Sequence, residues 1–168
     1  HNRGAAFGGR RLRCRRCRVA GGSSAARSGS VCHTTDRPGA AAGAEVTITG
    51  RRLDILQTAA DGNPRLHPRQ MDVADAASVN DGIASACHAR GPIQICVANA
   101  GIAEGGPFAE TTLAAWRQMM AINLDGAFLT FQAALATLPD GHPARMIAIS
   151  SIAGLKGLKR AVPYTVSK

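Results

Sequence analysis

From about residue 44 the chain alternates short β-branched runs with segments of helical periodicity, and that alternation restricts it to an α/β fold with a parallel sheet. Glu45 to Thr49, bounded by glycines, reads as a strand, and Arg52 to Ala60 as a short helix closed by Asp61-Gly62-Asn63-Pro64. Leu66 to Met71 predicts a second strand, interrupted by Pro68. Asp75 is placed to cap a helix reaching about Ala89, with Val79, Ile83 and Ala86 at helical spacing. Pro92 to Ala98 is a strand leading into Asn99-Ala100-Gly101. A long helix is expected from Thr112 to Leu138, its apolar stripe formed by Leu113, Trp116, Met120, Leu124, Phe128, Phe131, Leu135 and Leu138. Arg145–Ile149 is the last strand, and Pro163 suits the first turn of a closing helix. In such sheets crossovers are right-handed and ligands gather at the carboxyl ends of the strands, where Asp72, Asn99 and Ser151 fall.

The formal charge of +9 is unevenly distributed. Residues 1–37 hold nine arginines against Asp36, a net of +8, while the other 131 residues carry eleven basic and ten acidic side chains. The basic segment is rich in Arg, Gly, Ala, Ser and Cys and lacks apolar periodicity, so residues 1–37 are expected to stand apart from a domain over 38–168. Arg10 to Arg18 could serve as a phosphate-binding arm, but Phe7 is its only aromatic residue and nucleic acid is disfavoured as a partner. Cys14-x-x-Cys17 with Cys32-His33 could hold zinc, yet adjacent Cys and His crowd a tetrahedral site, and no metal is expected. Cys87 and Cys96 read as small buried apolar residues. Apolar runs fall short of 18 residues and no secretory leader opens the chain, which points to a cytoplasmic enzyme without a membrane partner.

The chemistry concentrates at the end. Ser151 follows the apolar run Met146–Ile149, and Tyr164 and Lys168 stand at i and i+4, about 5–6 Å apart at Cβ on one helix face. An ammonium beside a phenol stabilises the phenolate and so makes the phenol a better proton donor. A serine hydroxyl nearby can hold the carbonyl oxygen that receives the proton.

Four motifs in order, Asn99-Ala100-Gly101, Asn123, Ser151 and Tyr164-Thr165-Val166-Ser167-Lys168, resemble the short-chain dehydrogenase/reductase family over about residues 40–168. The resemblance implies a Rossmann-like doubly wound parallel sheet, incomplete at its C-terminal edge because family members continue past the lysine. It implies catalytic roles for Asn123, Ser151, Tyr164 and Lys168, with Asn123 holding a water that relays protons to Lys168. Gly21 matches the first glycine of the family's phosphate loop, whereas Ala25 and Arg27 stand where the next two belong, so the loop is expected to be disrupted. Gly50 occupies the place of the acidic residue that NAD users direct at the ribose, and Arg51 and Arg52 follow it. A guanidinium suits a 2′-phosphate, which favours NADP(H) over NAD(H). Asp72-Val73 resembles the adenine contact, and Asn99-Ala100-Gly101 the floor under the nicotinamide ribose.

The implied activity is hydride transfer between NADP(H) and a ketone or secondary alcohol, with Tyr164 as acid or base and Ser151 against the substrate. The loops Gly101–Glu110 and Gly154–Pro163 resemble those of reductases acting on 3-oxoacyl thioesters. Family members pair into homo-oligomers. The competing expectations are a non-catalytic remnant that binds no dinucleotide and, more distantly, a basic nucleic-acid-binding module.

Overall fold

A computed structural model describes residues 18–21 and 39–168, with side chains from residue 39 onward. The zinc and nucleic-acid candidates (Cys14, Cys17, Cys32, His33 and the arginines before Arg18) lie outside the described residues, as do Ala25 and Arg27 of the expected phosphate loop. The elements are β1 (Arg18–Gly21), β2 (Val46–Gly50), α1 (Leu53–Ala60), β3 (Leu66–Gln70), α2 (Ala76–Arg90), β4 (Ile95–Ala98), α3 (Leu113–Met120), α4 (Gly126–Ala136), β5 (Arg145–Ala148) and α5 (Val162–Ser167).

All five strands are parallel, in the order β3-β2-β1-β4-β5. The centre of the sheet is β1, paired to β2 on one side and β4 on the other, so four residues of the segment set apart by its basic composition belong to the fold. The strand order reverses between β1 and β4, and that switch point opens a crevice at the carboxyl ends of the strands. Pro68 is tolerated because β3 is an edge strand.

Strand register explains the two cores. Val46 pairs through Arg18 with Ile95, and Thr47 pairs through Val19 with Cys96, so alternate residues face opposite sides. On one side Val46, Ile48 and Leu66 pack with Leu56 and Ala59 of α1. On the other, Cys96, Met71 and Ile93 pack with Val79, Ile83 and Ala86 of α2 and with Met119, Ile122, Ala133 and Ala134 of the long helix. Burial pushes the Cys96 thiol up to about 12, so it behaves as an apolar core group. Cys87, half-buried beside this core, donates from Sγ to Thr137 Oγ1 at 3.3 Å.

The long helix departs from the expected stripe. It is continuous from Leu113 to Ala136 but widens into a π-turn at Ala121–Asp125. Leu124, Phe128 and Leu135, expected to face the core, are 52–61% exposed, and Leu113 is exposed too. The inward face consists of Met119, Ile122, Asn123, Gly126, Thr130, Ala133 and Ala134. The physical reason is close approach: a Cβ on Gly126 would stand 2.9 Å from Val73 Cγ2 and 3.2 Å from the Val73 carbonyl oxygen, so only small residues fit under this part of the helix. By length and composition alone Leu113–Ala136 is apolar enough to cross a bilayer, with a mean hydropathy of 1.3. In this fold it is a layer helix packed on α2 and β4.

Gly126→Ala is expected to destabilise the domain by about 1–3 kcal/mol, because the Val73 backbone cannot move aside as a flexible side chain would. Chemical denaturation followed by circular dichroism measures it, and an unchanged midpoint refutes the close-packing account.

Candidate active site

The switch-point crevice is built where three loops meet. The turn after β4 carries Asn99, Ala100 and Gly101; the π-turn carries Asn123; and the segment after β5 carries Ser150 and Ser151, running on to Tyr164 and Lys168 of α5.

Asn123 ties these together. Its Oδ1 accepts from the Ile102 N–H at 2.8 Å, and its Nδ2 donates to the Ile102 carbonyl at 2.9 Å and to Ser167 Oγ at 2.8 Å. Both amide N–H groups are therefore committed. Ser167 in turn donates to the Tyr164 carbonyl at 2.9 Å, so a single side chain links the turn after β4 to the helix of the tyrosine. Asn123 and Ser167 are both buried, where an unpaired polar group would be costly. The π-turn places a polar residue inward within an otherwise apolar helix, a use such turns often serve at functional sites.

Gly101 is the point of convergence. A Cβ there would lie 3.2 Å from both Asn123 Oδ1 and Lys168 Nζ, so three of the sequence motifs come within contact of one another. Lys168 Nζ donates to the Ile149 carbonyl at 3.1 Å, which holds the ammonium at the carboxyl end of β5. Ser150 donates to the Lys168 carbonyl at 2.7 Å. Ser151 caps the short 3-10 turn Ile152–Gly154, its Oγ accepting from the Ala153 N–H at 3.2 Å. That cap uses a lone pair and leaves the hydroxyl hydrogen to donate elsewhere. Tyr164 is half-buried and packs against the core cluster that contains Ile102.

The neighbouring loops are clasped. The Gly106 N–H donates to the Arg160 carbonyl at 2.7 Å, and a Cβ on Gly105 would stand 2.9 Å from that same oxygen. Arg160 sits in the left-handed region at φ 58°, a strained setting for a residue with a side chain. Next to the clasp is a cleft of about 280 Å³ whose lining includes Glu104, Gly106, Pro107, Thr111, Met119 and Pro163.

A larger cleft of about 570 Å³ opens at the ends of β2 and β3. Arg51, Arg69, Gln70, Asp72 and Asp81 line it. Arg52 does not: it is the N-cap residue of α1, and its carbonyl accepts from Leu56 at 3.3 Å. Asp72 uses Oδ1 to accept from the Ala74 N–H at 3.0 Å, and its own N–H is held by Ser78 Oγ at 2.9 Å. Val73 is buried beneath Gly126. Gly21 ends β1 at the same side of the sheet.

The structure brings Asn123 and Lys168 together at Gly101, with Ser151 and Tyr164 on the adjoining segments, and it adds Ser150 and Ser167, which the sequence did not single out as site residues. The two serines carry the geometry through hydrogen bonds between segments distant in the chain, which no local pattern announces. Among the described residues no cluster of His, Cys, Asp or Glu could hold a metal.

The parallel order β3-β2-β1-β4-β5 defines a Rossmann-like α/β protein. A profile of the short chain dehydrogenase family matches residues 30–168, and the chain belongs to that family. It is 34% identical over 130 residues to an NADP-dependent (R)-specific alcohol dehydrogenase of Lentilactobacillus kefiri, covering 75% of this chain and 52% of that protein. A short-chain dehydrogenase/reductase of Hericium erinaceus is 36% identical over 125 residues, covering 74% of this chain and 44% of the relative. A solved short-chain dehydrogenase/reductase of Brucella melitensis superposes with a TM-score of 0.80 at 28% identity, over 92% of this chain and 64% of that one. The chain thus spans about half the length of the curated relatives it matches.

Asn123→Ala is expected to cost about 2–4 kcal/mol, since it strands the Ile102 N–H and carbonyl inside the protein. The measurement is equilibrium unfolding; a loss below about 0.5 kcal/mol contradicts the linking role.

Proposed function

We propose that this chain forms the dinucleotide-side half of an NADP(H)-dependent carbonyl reductase or alcohol dehydrogenase, with Tyr164 as the proton-transfer group. The observation that carries the reading is the meeting of Lys168 Nζ and Asn123 Oδ1 at Gly101, beside the loop of Ser151. The larger cleft fits the adenosine end of the cofactor by its chemistry, a guanidinium at Arg51 for phosphate and a carboxylate at Asp72 for the amino group of adenine. Bound there, the cofactor supplies or accepts hydride.

The chain's own groups do the rest. The Ser151 hydroxyl, with its acceptor side capped, donates to the substrate oxygen and polarises the carbonyl. Tyr164 gives its phenolic proton to that oxygen in reduction and takes it back in oxidation. Lys168, whose ammonium is held by the Ile149 carbonyl, would bond the ribose hydroxyls. Because both N–H groups of the Asn123 side chain are committed, Asn123 acts as a positioning residue, and the relay water expected there falls to its remaining acceptors. Asn99 and Gly101 shape the floor of the crevice, and Gly101 has no Cβ to hold Lys168 away.

The substrate is a small ketone or secondary alcohol, taken up from the side of the smaller cleft; a 3-oxoacyl thioester is the finer reading. The exposed apolar residues Leu124, Phe128 and Leu135 of the long helix suit pairing of copies in a homo-oligomer, and a cytoplasmic setting suits the cofactor.

Tyr164→Phe is expected to leave NADPH binding within about twofold while lowering ketone-dependent NADPH oxidation at least about 100-fold. Fluorescence titration and absorbance at the nicotinamide band measure the two separately. Retained turnover defeats the assignment of the acid, and absent NADPH binding favours the non-catalytic remnant instead. Gly50→Asp tests the cofactor choice. A Cβ at Gly50 meets only the Leu56 side chain, at 3.5 Å, so a carboxylate can be installed without distorting β2. The expected result is a loss of NADPH affinity of about 10-fold or more relative to NADH; equal affinities before and after count against the 2′-phosphate reading.

A further inference from the structure

We propose that Arg69, on the edge strand β3, is the second arm of a phosphate-binding fork whose first arm is Arg51, so that the larger cleft selects an adenosine 2′-phosphate over an adenosine 2′-hydroxyl. The inference rests on the dinucleotide reading above and changes which residues carry it: sequence proximity suggested Arg51 with Arg52, and the geometry points to Arg51 with Arg69.

Arg69 pairs with Thr49 on the neighbouring parallel strand, about 4.8 Å away in the hydrogen-bonding direction, and registered residues project to the same face of a sheet. Thr49 is buried on the face covered by α2, as the register with Cys96 requires. Arg69 therefore leaves the sheet on that face, and Arg51, two residues beyond Thr49, leaves the end of β2 beside it. Both arginines line the cleft of about 570 Å³. Their relative placement is fixed by the chain between them, because Gln70 Nε2 donates to the Arg51 carbonyl at 3.0 Å and the Met71 N–H donates to the Gly50 carbonyl at 2.9 Å. Arg52 serves α1 as its N-cap and stays out of the cleft.

Charge decides the kind of ligand. Among the described residues the ion pairs are those of Glu45 with Arg65 and His67, both toward the opposite end of β2 and β3, and none neutralises Arg69. Asp72 and Asp81 line the same cleft. It therefore offers both cationic and anionic groups. A free phosphate or a dicarboxylate satisfies only the cationic ones. An adenosine carrying a 2′-phosphate satisfies both, presenting its dianion to the two guanidinium groups and its exocyclic amine to a carboxylate. An arginine reaching in from β3 also explains how a 2′-phosphate is held when Gly50 offers no side chain at the end of β2.

The test is calorimetric titration of the chain with adenosine 2′,5′-bisphosphate and, separately, with adenosine 5′-monophosphate. The bisphosphate is expected to bind at least about 10-fold tighter than the monophosphate. Arg69→Gln is expected to weaken the bisphosphate about 10-fold and leave the monophosphate within about twofold, with Arg52→Gln producing a smaller loss than Arg69→Gln. Arg117→Gln, on the exposed side of α3, controls for net charge, and thermal melts of all variants confirm folding at this exposed position. Unchanged bisphosphate affinity in Arg69→Gln, or an equal loss for both nucleotides, overturns the role of Arg69 while leaving the dinucleotide reading intact. Binding of neither nucleotide to the unaltered chain overturns both.

Discussion

The geometry of the candidate site depends on one buried amide. Asn123 is held to Ile102 by a reciprocal pair of hydrogen bonds, the same pairing two β-residues would exchange, and to Ser167 by its other N–H. The turn after β4 and the helix of Tyr164 are both anchored to it. In the protein interior each of these bonds is worth more than at the surface, and each is costly to leave half-made. The π-turn at Ala121–Asp125 is the structural condition for this arrangement, since it is where the helix exchanges regular spacing for an inward polar side chain.

Glycines make a second layer of constraint by allowing backbone and side chains to meet. Gly101 admits Lys168 and Asn123 to one spot, Gly126 lets the long helix settle on Val73, and Gly105 permits the clasp to Arg160. A Cβ would force a shift at Gly105 and Gly126 and would crowd two side-chain ends at Gly101. These contacts connect the cleft of Arg51 and Asp72, through Val73 and the long helix, to the turn after β4.

The parallel α/β class was legible from the alternation of β-branched runs and helical spacing, and most element boundaries lie within a few residues of those read from turn chemistry: Asp75 caps α2 through the Ala77 N–H, and Pro163 opens α5. The strand at Pro68 was legible once its edge position is known. The orientation of the long helix was not. Eight apolar residues at helical spacing suggested a core stripe, but Leu124, Phe128 and Leu135 face outward because the inward surface must be small enough to pass over Val73. Local periodicity reports that a helix has a face, while packing distance decides which face is buried. The motif residues were singled out through family resemblance, whereas Ser150 and Ser167 were not, because their hydrogen bonds join segments distant in the chain. The central position of β1 was equally hidden, since the strand follows directly on the arginine-rich run that precedes it.

The outer side of β5 carries its own consequence. It is the last strand of the described sheet, with Ile147 and Ile149 two-fifths exposed, and its free main-chain groups form a template for another extended segment. A segment laid alongside in parallel would end next to Ser151, because the loop bearing that serine begins where β5 stops. Whatever polypeptide paired with that edge would therefore lie beside the loop of Ser151.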